Sequence, residues 1–110
     1  MEHLDLDALN TLKQVMEDDF PLLVDTFIQD SSTRIASLRE LIQGNDADLI
    51  RRAAHSFKGS SSNLGAIQLS ALCAAIEKKA LAGNFNGLAA DLAELEGEFA
   101  RVEQSLRALT

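Results

Sequence analysis

A histidine, a lysine and a glycine at positions 55, 58 and 59 are the residues whose types and spacing could do chemistry in this chain. They lie in the segment Leu49-Ile-Arg-Arg-Ala-Ala-His-Ser-Phe-Lys-Gly-Ser-Ser-Ser-Asn-Leu64. On a helical wheel of about 100° per residue, Leu49, Ile50, Ala53, Phe57, Ser60 and Leu64 fall within about 60° of the pole opposite His55. That pole is the expected core. Asp48, Arg51, Arg52, Lys58, Gly59 and Ser62 share the side of His55, so the imidazole is expected to face solvent in the middle of a polar stripe. A neutral imidazole nitrogen is a good nucleophile near neutral pH, and an N–P bond is reactive enough to pass a phosphoryl group on. Negative charge on the group in transit calls for nearby cations. Lys58, at i+3, is placed to be one.

Gly59, at i+4, lies beside His55 on the same face. A glycine in mid-helix costs about 1 kcal/mol relative to alanine, and close access for a second protein to the imidazole is a gain that could offset it. Ser56, Ser60, Ser61 and Ser62 are also poor interior helix formers that keep the surface low. Taken alone, these residues equally fit an ordinary solvated face, with Gly59 marking a packing contact or a kink.

The elements that must position this segment are helical almost throughout. A short helix is expected over 5–17, capped by Asp5, with Leu6, Leu9, Leu12 and Met16 as its stripe. Asp18-Asp19-Phe20-Pro21 reads as acidic caps followed by proline in a first turn. The second helix then runs to Gln43 on Leu23, Phe27, Ile28, Ile35, Leu38, Leu41 and Ile42. Gly44 is expected to end it, and Asn45 or Asp46 to cap the third, which Gly65 closes. A fourth spans 67–81 with Leu69, Leu72, Cys73, Ile76 and Ala80 inward, and Gly83-Asn84 stops it. The fifth, over 86–109, carries Leu88, Leu92, Leu95, Phe99, Val102, Leu106 and Leu109 at alternating spacings of four and three, a heptad seam. One apolar side per helix and short connections predict an all-α, up-and-down antiparallel four-helix bundle with a short extra N-terminal helix.

At 110 residues, 46 % hydrophobic, the chain reads as one domain, 1–110, with a real core. The lone Cys73 excludes an intrachain disulfide and fits a reducing cytoplasm. A net charge of -7 argues against general nucleic-acid or anionic-membrane binding. No apolar run approaches the roughly 20 residues of a membrane span. Two histidines and one cysteine without ligand spacing point to no metal site. His3 is expected in a frayed terminus, Cys73 in the core, and Phe20 and Phe27 likewise. A serine or cysteine hydrolase lacks a His–acid partner set.

The run Ala54-His-Ser-Phe-Lys-Gly-Ser-Ser-Ser-Asn-Leu-Gly-Ala66 resembles the signature of histidine-containing phosphotransfer (HPt) domains, roughly A-H-x-L-K-G-[SA]-[SA]-x-x-[LV]-G. The resemblance covers about thirteen residues. It implies a four-helix bundle whose exposed histidine exchanges phosphate with the aspartate of a receiver domain. It carries over to His55 as phosphoacceptor, Lys58 as phosphate-stabilising cation and Gly59 as clearance for the receiver. Phe57 stands where leucine is commoner, and Ser62 where alanine is common. Family members often place a polar residue, frequently glutamine, on the next helix to orient the imidazole. Glu77 falls near that position, and its residue type leaves open whether it holds the ring or is merely solvated.

The expected protein is a phosphorelay intermediate of two-component signalling. It would accept phosphate from one receiver domain and pass it to another, the partners being response regulators and hybrid sensor histidine kinases. Arg51, Arg52 and Ser62 are candidate docking residues. The 110 residues leave no room for a nucleotide-binding kinase domain, so no ATP-dependent kinase activity is expected. No cofactor is expected, any Mg²⁺ belonging to the receiver's acidic pocket. A cytoplasmic monomer is expected. The alternative from the residues alone is a non-catalytic helical adaptor that binds a partner through the bundle surface.

Overall fold

The structure, a computed structural model, describes residues 3–110. Helix α1 spans Leu6–Met16, and a 3₁₀ turn over Glu17–Asp19 leads into α2, Phe20–Gly44. Then follow α3, Ala47–Asn63, α4, Ile67–Leu81, and α5, Leu88–Ala108. Helix α2 packs on α3 and α5, and α4 packs on α3 and α5. Helices α3 and α5 do not pack on each other, so they occupy opposite corners of a four-helix bundle. Helix α1 lies against the start of α2. No helix among the described residues is long and apolar enough to cross a membrane.

The apolar stripes of α2 to α5 converge as the periodicity requires. Phe20, Phe27, Ile28, Ile35 and Leu38 of α2 are buried, with Leu23, Leu41 and Ile42 half-buried around them. From α5, Leu88, Leu92, Leu95, Phe99, Val102 and Leu106 are buried, and Leu109 is half-buried. Phe57 is wholly buried. Its burial is worth about 1.5–3 kcal/mol and resists any rotation of α3 about its axis, which keeps His55 outward. At the N-terminus of α3 the Asp46 carboxylate accepts from Leu49 N at 3.1 Å, a cap worth about 1 kcal/mol.

Helix ends differ from the sequence expectation where backbone geometry decides them. Gly44 stays helical, and Asn45 takes the left-handed cap at φ 55°. Asparagine tolerates that region because its short side chain finds local hydrogen bonds. Asp18 and Asp19 do not cap α2. Asp19 has helical dihedrals, φ -81° and ψ -12°, and makes no side-chain cap bond, because a capping carboxylate needs extended backbone to reach forward. Helix α5 starts at Leu88 rather than Asn86, since Gly87 before it is left-handed at φ 76°. Gly65 closes α3 as expected, at φ +69°. A side chain there would also meet Asp5, whose N–H donates to Gly65 O at 2.8 Å.

The core side of α3 is rotated from the wheel's pole. Leu49 is 43 % exposed and Ser60 and Ala53 are half-buried, whereas Ala54 and Ser61 are fully buried. With Ile50, Phe57 and Leu64, these centre the buried arc about 40° from the point opposite His55, towards α4, at about 100° per residue. Small side chains at 54 and 61 let α4 approach closely on that flank. On α1, Leu6 is exposed and Leu4, before the helix, is buried instead.

His3 is not frayed. Its Nδ1 lies 2.8 Å from Oε2 of Glu98, a carboxylate only 1 % exposed, which also accepts from Arg101 Nε at 3.1 Å. A buried carboxylate without partners would be strongly destabilising, so these contacts anchor the N-terminal segment. Cys73 sits in the core, and burial pushes its thiol from 9.0 up to about 12. Only the thiolate reacts with alkylating reagents. Native protein at pH 8 is therefore expected to resist iodoacetamide until denatured, which mass spectrometry before and after urea would check; rapid labelling of the native form would contradict this core position.

Candidate functional site

His55 sits mid-way along α3 with its side chain 64 % exposed. Phe57 and Ala54 fix the helix orientation from within. Across the groove, α4 runs antiparallel and presents Glu77. Its Oε2 lies 2.6 Å from His55 Nδ1, and its Oε1 accepts from Lys58 Nζ at 2.7 Å. The carboxylate thus bridges the imidazole and the ammonium. The Lys58 hydrogen bond holds the Glu77 carboxyl below its ordinary 4.5, His55 adds to the lowering, and burial opposes it without reversing it.

An ionised carboxylate only accepts, so Nδ1 of a neutral His55 ring must carry the proton. Nε2 is left with its lone pair directed away from Glu77. A nucleophile presented by a carboxylate-held imidazole is the arrangement that covalent catalysis uses. If Nε2 forms a bond, the ring becomes cationic, and the carboxylate at Nδ1 stabilises that charge. One turn along, Gly59 leaves the face open: a Cβ placed there meets nothing within 4 Å.

The family described as Hpt domain matches residues 22–105, most of the chain. The chain belongs to the Hpt family. It is a histidine phosphotransfer protein of two-component phosphorelays, an intermediate in phosphoryl transfer. The crystal structure of histidine-containing phosphotransfer protein B (HptB) from Pseudomonas aeruginosa PAO1 is similar at TM-score 0.93 and 42 % identity, covering 96 % of this chain and 92 % of that one. No curated protein matches the chain.

The other residues singled out from the sequence lie on the same face of this HPt domain but are engaged differently. Arg51 Nη2 and Arg52 Nε both reach Asp48, at 3.0 Å each, so one carboxylate serves two guanidinium groups. Ser62 Oγ meets Ser70 Oγ at 2.7 Å, and Ser70 donates onward to Lys58 O at 3.2 Å, tying α3 to α4. Sequence reasoning missed Arg34. It comes from α2, where its Nε donates to Asp30 Oδ2 at 2.7 Å and its Nη1 to Ser56 Oγ at 2.7 Å. An i,i+4 acid–arginine pair on a helix was the signal, but it does not tell which neighbouring helix the arginine leans on.

Proposed function

We propose that this HPt domain carries the phosphoryl group on Nε2 of His55. The Nε2 lone pair attacks the phosphorus of a receiver's phosphoaspartate, an N–P bond forms, and the acyl P–O bond breaks with its electron pair left on the aspartate carboxylate. The reverse step delivers the group to a second receiver. The partners are receiver domains of hybrid sensor histidine kinases and of response regulators. The domain has no ATP-dependent kinase activity of its own and works as a monomer, since one copy presents all the groups the step uses.

The observation that carries this reading is the 2.6 Å contact between His55 Nδ1 and Glu77, which leaves Nε2 as the free, outward nucleophile. Glu77 is then the orienting residue and the counter-charge to the phosphorylated ring. Gly59 supplies clearance, and Arg51, Arg52 and Ser62 border the docking face. Mixing the protein with purified phosphorylated receiver domains and weighing it intact tests the reading. A gain of one phosphoryl group is expected; an unchanged mass against every receiver would leave the adaptor reading.

Lys58 has two anionic claims on it, Glu77 at rest and the phosphoryl oxygens during transfer. Lys58→Ala is expected to slow transfer by roughly 10- to 100-fold, about 1.4–2.7 kcal/mol in the barrier, with the fold intact. Rapid-quench kinetics with saturating phosphorylated receiver would measure it, and a wild-type rate would reject the role.

A further inference from the structure

The cations around His55 are not equivalent. Lys58 is held on the α4 flank of the imidazole by Glu77, while Arg51 and Arg52 lie a turn back and share Asp48. Arg34 alone among them comes from α2. It crosses to α3 and donates through Nη1 to the hydroxyl of Ser56, the residue that follows His55. On the wheel Ser56 lies about 100° to one side of His55 and Lys58 about 60° to the other. The imidazole therefore stands between a guanidinium and an ammonium carried by different helices.

Around this face four cations (Arg34, Lys58, Arg51, Arg52) meet three paired carboxylates (Asp30, Glu77, Asp48), leaving +1 on a chain whose net charge is -7. The Arg34 side chain is 30 % exposed, and Asp30 and Ser56 occupy only Nε and one bond of Nη1. The remaining N–H groups on Nη1 and Nη2 have no partner among the described residues. A planar guanidinium with donors to spare matches two oxygens of one phosphoryl group, which a lysine cannot do.

We propose that Arg34 is a second phosphoryl-contacting cation of the transfer step, held on the α2 flank of His55 by Ser56 and Asp30. This rests on His55 as phosphoacceptor. As Nε2 attacks and the bond to the leaving group breaks, Arg34 takes one side of the equatorial oxygens and Lys58 the other. Ser56 is a positioning residue, since it acts by holding the guanidinium. The rival explanation is that Arg34 only clamps α2 to α3.

Two donors separate the explanations. One is potassium phosphoramidate, from which the P–N bond breaks and ammonia leaves. The other is a phosphorylated receiver domain that labels the wild-type protein. For Arg34→Ala, labelling of His55 by phosphoramidate is expected to slow by about 10-fold, with kcat for the receiver falling by a similar factor and KM changing less than twofold. Arg34→Lys should recover part of the loss, since charge returns without the fork.

A variant whose melting temperature drops while both rates stay at the wild-type value would show a clamp and overturn the proposal. A raised KM with unchanged kcat and unchanged phosphoramidate labelling would show a docking charge, and would overturn it equally. If Arg34→Ala does not fold, Ser56→Ala at this exposed position carries the test: a roughly threefold slower labelling is expected, and an unaltered rate rejects the proposal. Wild-type protein that neither donor labels would fail the phosphoacceptor reading itself, a result distinct from all of these.

Discussion

Replacing Gly59 with glutamine is expected to give a protein that melts at or above the wild-type temperature, takes phosphate from phosphoramidate and is refused by phosphorylated receivers. The three parts have separate causes. Glycine within a helix is about 1 kcal/mol less favourable than alanine, and most side chains that favour helices recover much of that difference. No atom within 4 Å opposes a Cβ at this position, so the bundle itself offers no clash. Stability is therefore expected to be kept or raised.

On the proposed reading, the same open space is where a receiver approaches to bring its phosphoaspartate to Nε2. A glutamine side chain one turn from His55 fills it. In-line attack tolerates little displacement, and holding the reactants apart by about 1 Å can cost 100-fold in rate. Transfer from a receiver is expected to fall at least that far. Phosphoramidate is small enough to reach Nε2 past the glutamine. Thermal melts, intact mass after phosphoramidate and quench kinetics with a receiver read the three parts on one preparation. A variant that exchanges phosphate with its receiver at the wild-type rate would place the docking face elsewhere on the bundle. One that unfolds would mean that Gly59 faces a packed neighbour.

Much of this was legible in the sequence because it rests on local periodicity. The seam of α5 needed only leucines and Phe99 at alternating spacings of four and three, and the outward direction of His55 followed from Phe57 and Ile50 on the far side of the same helix. Glu77 was found by spacing from a family pattern, although its bond to Nδ1 needed the register of α4 against α3.

The buried Glu98 and the misses at His3 and Arg34 share one cause, which is that partners distant in the chain reverse what residue type suggests. Glu98 is a charged residue beside the seam of α5, and its burial is made tolerable by His3, 95 positions away, together with Arg101. Nothing near Glu98 announces that, and for the same reason His3 looked like a loose end. Arg34 leans on Ser56, 22 positions on, across the α2–α3 contact. The rotation of α3 towards α4 was hidden because Ala54 and Ser61 carry almost no hydropathy signal, yet their small size decides how closely the two helices meet. Asn45 in place of Gly44 as the left-handed cap was a choice between two adjacent residues that both accept that conformation.

The central claim is that one imidazole carries the phosphoryl group, and His55→Gln bears on it with the largest expected effect. The side chain is exposed, and glutamine is a good helix former, so the bundle is expected to keep its helicity and melting temperature. A glutamine side chain can still receive a hydrogen bond near Glu77 and Lys58 but has no nucleophilic nitrogen. Labelling by a phosphorylated receiver is expected to vanish altogether rather than slow, because no neighbouring group replaces the nucleophile. Lys58 Nζ is engaged by Glu77 Oε1 at 2.7 Å. Ser56 and Ser62 are engaged by Arg34 and Ser70, and a serine hydroxyl lacks a base to activate it there.

The most direct measurement is the intact mass of wild-type and His55→Gln protein after incubation with the same phosphorylated receiver, repeated after brief exposure to acid and to alkali. The account predicts a single phosphoryl group on the wild type, lost in acid and kept in alkali as an N–P bond requires, and none on the variant. An undiminished gain of mass on His55→Gln, or a wild-type product that survives acid as a serine ester does, would contradict it.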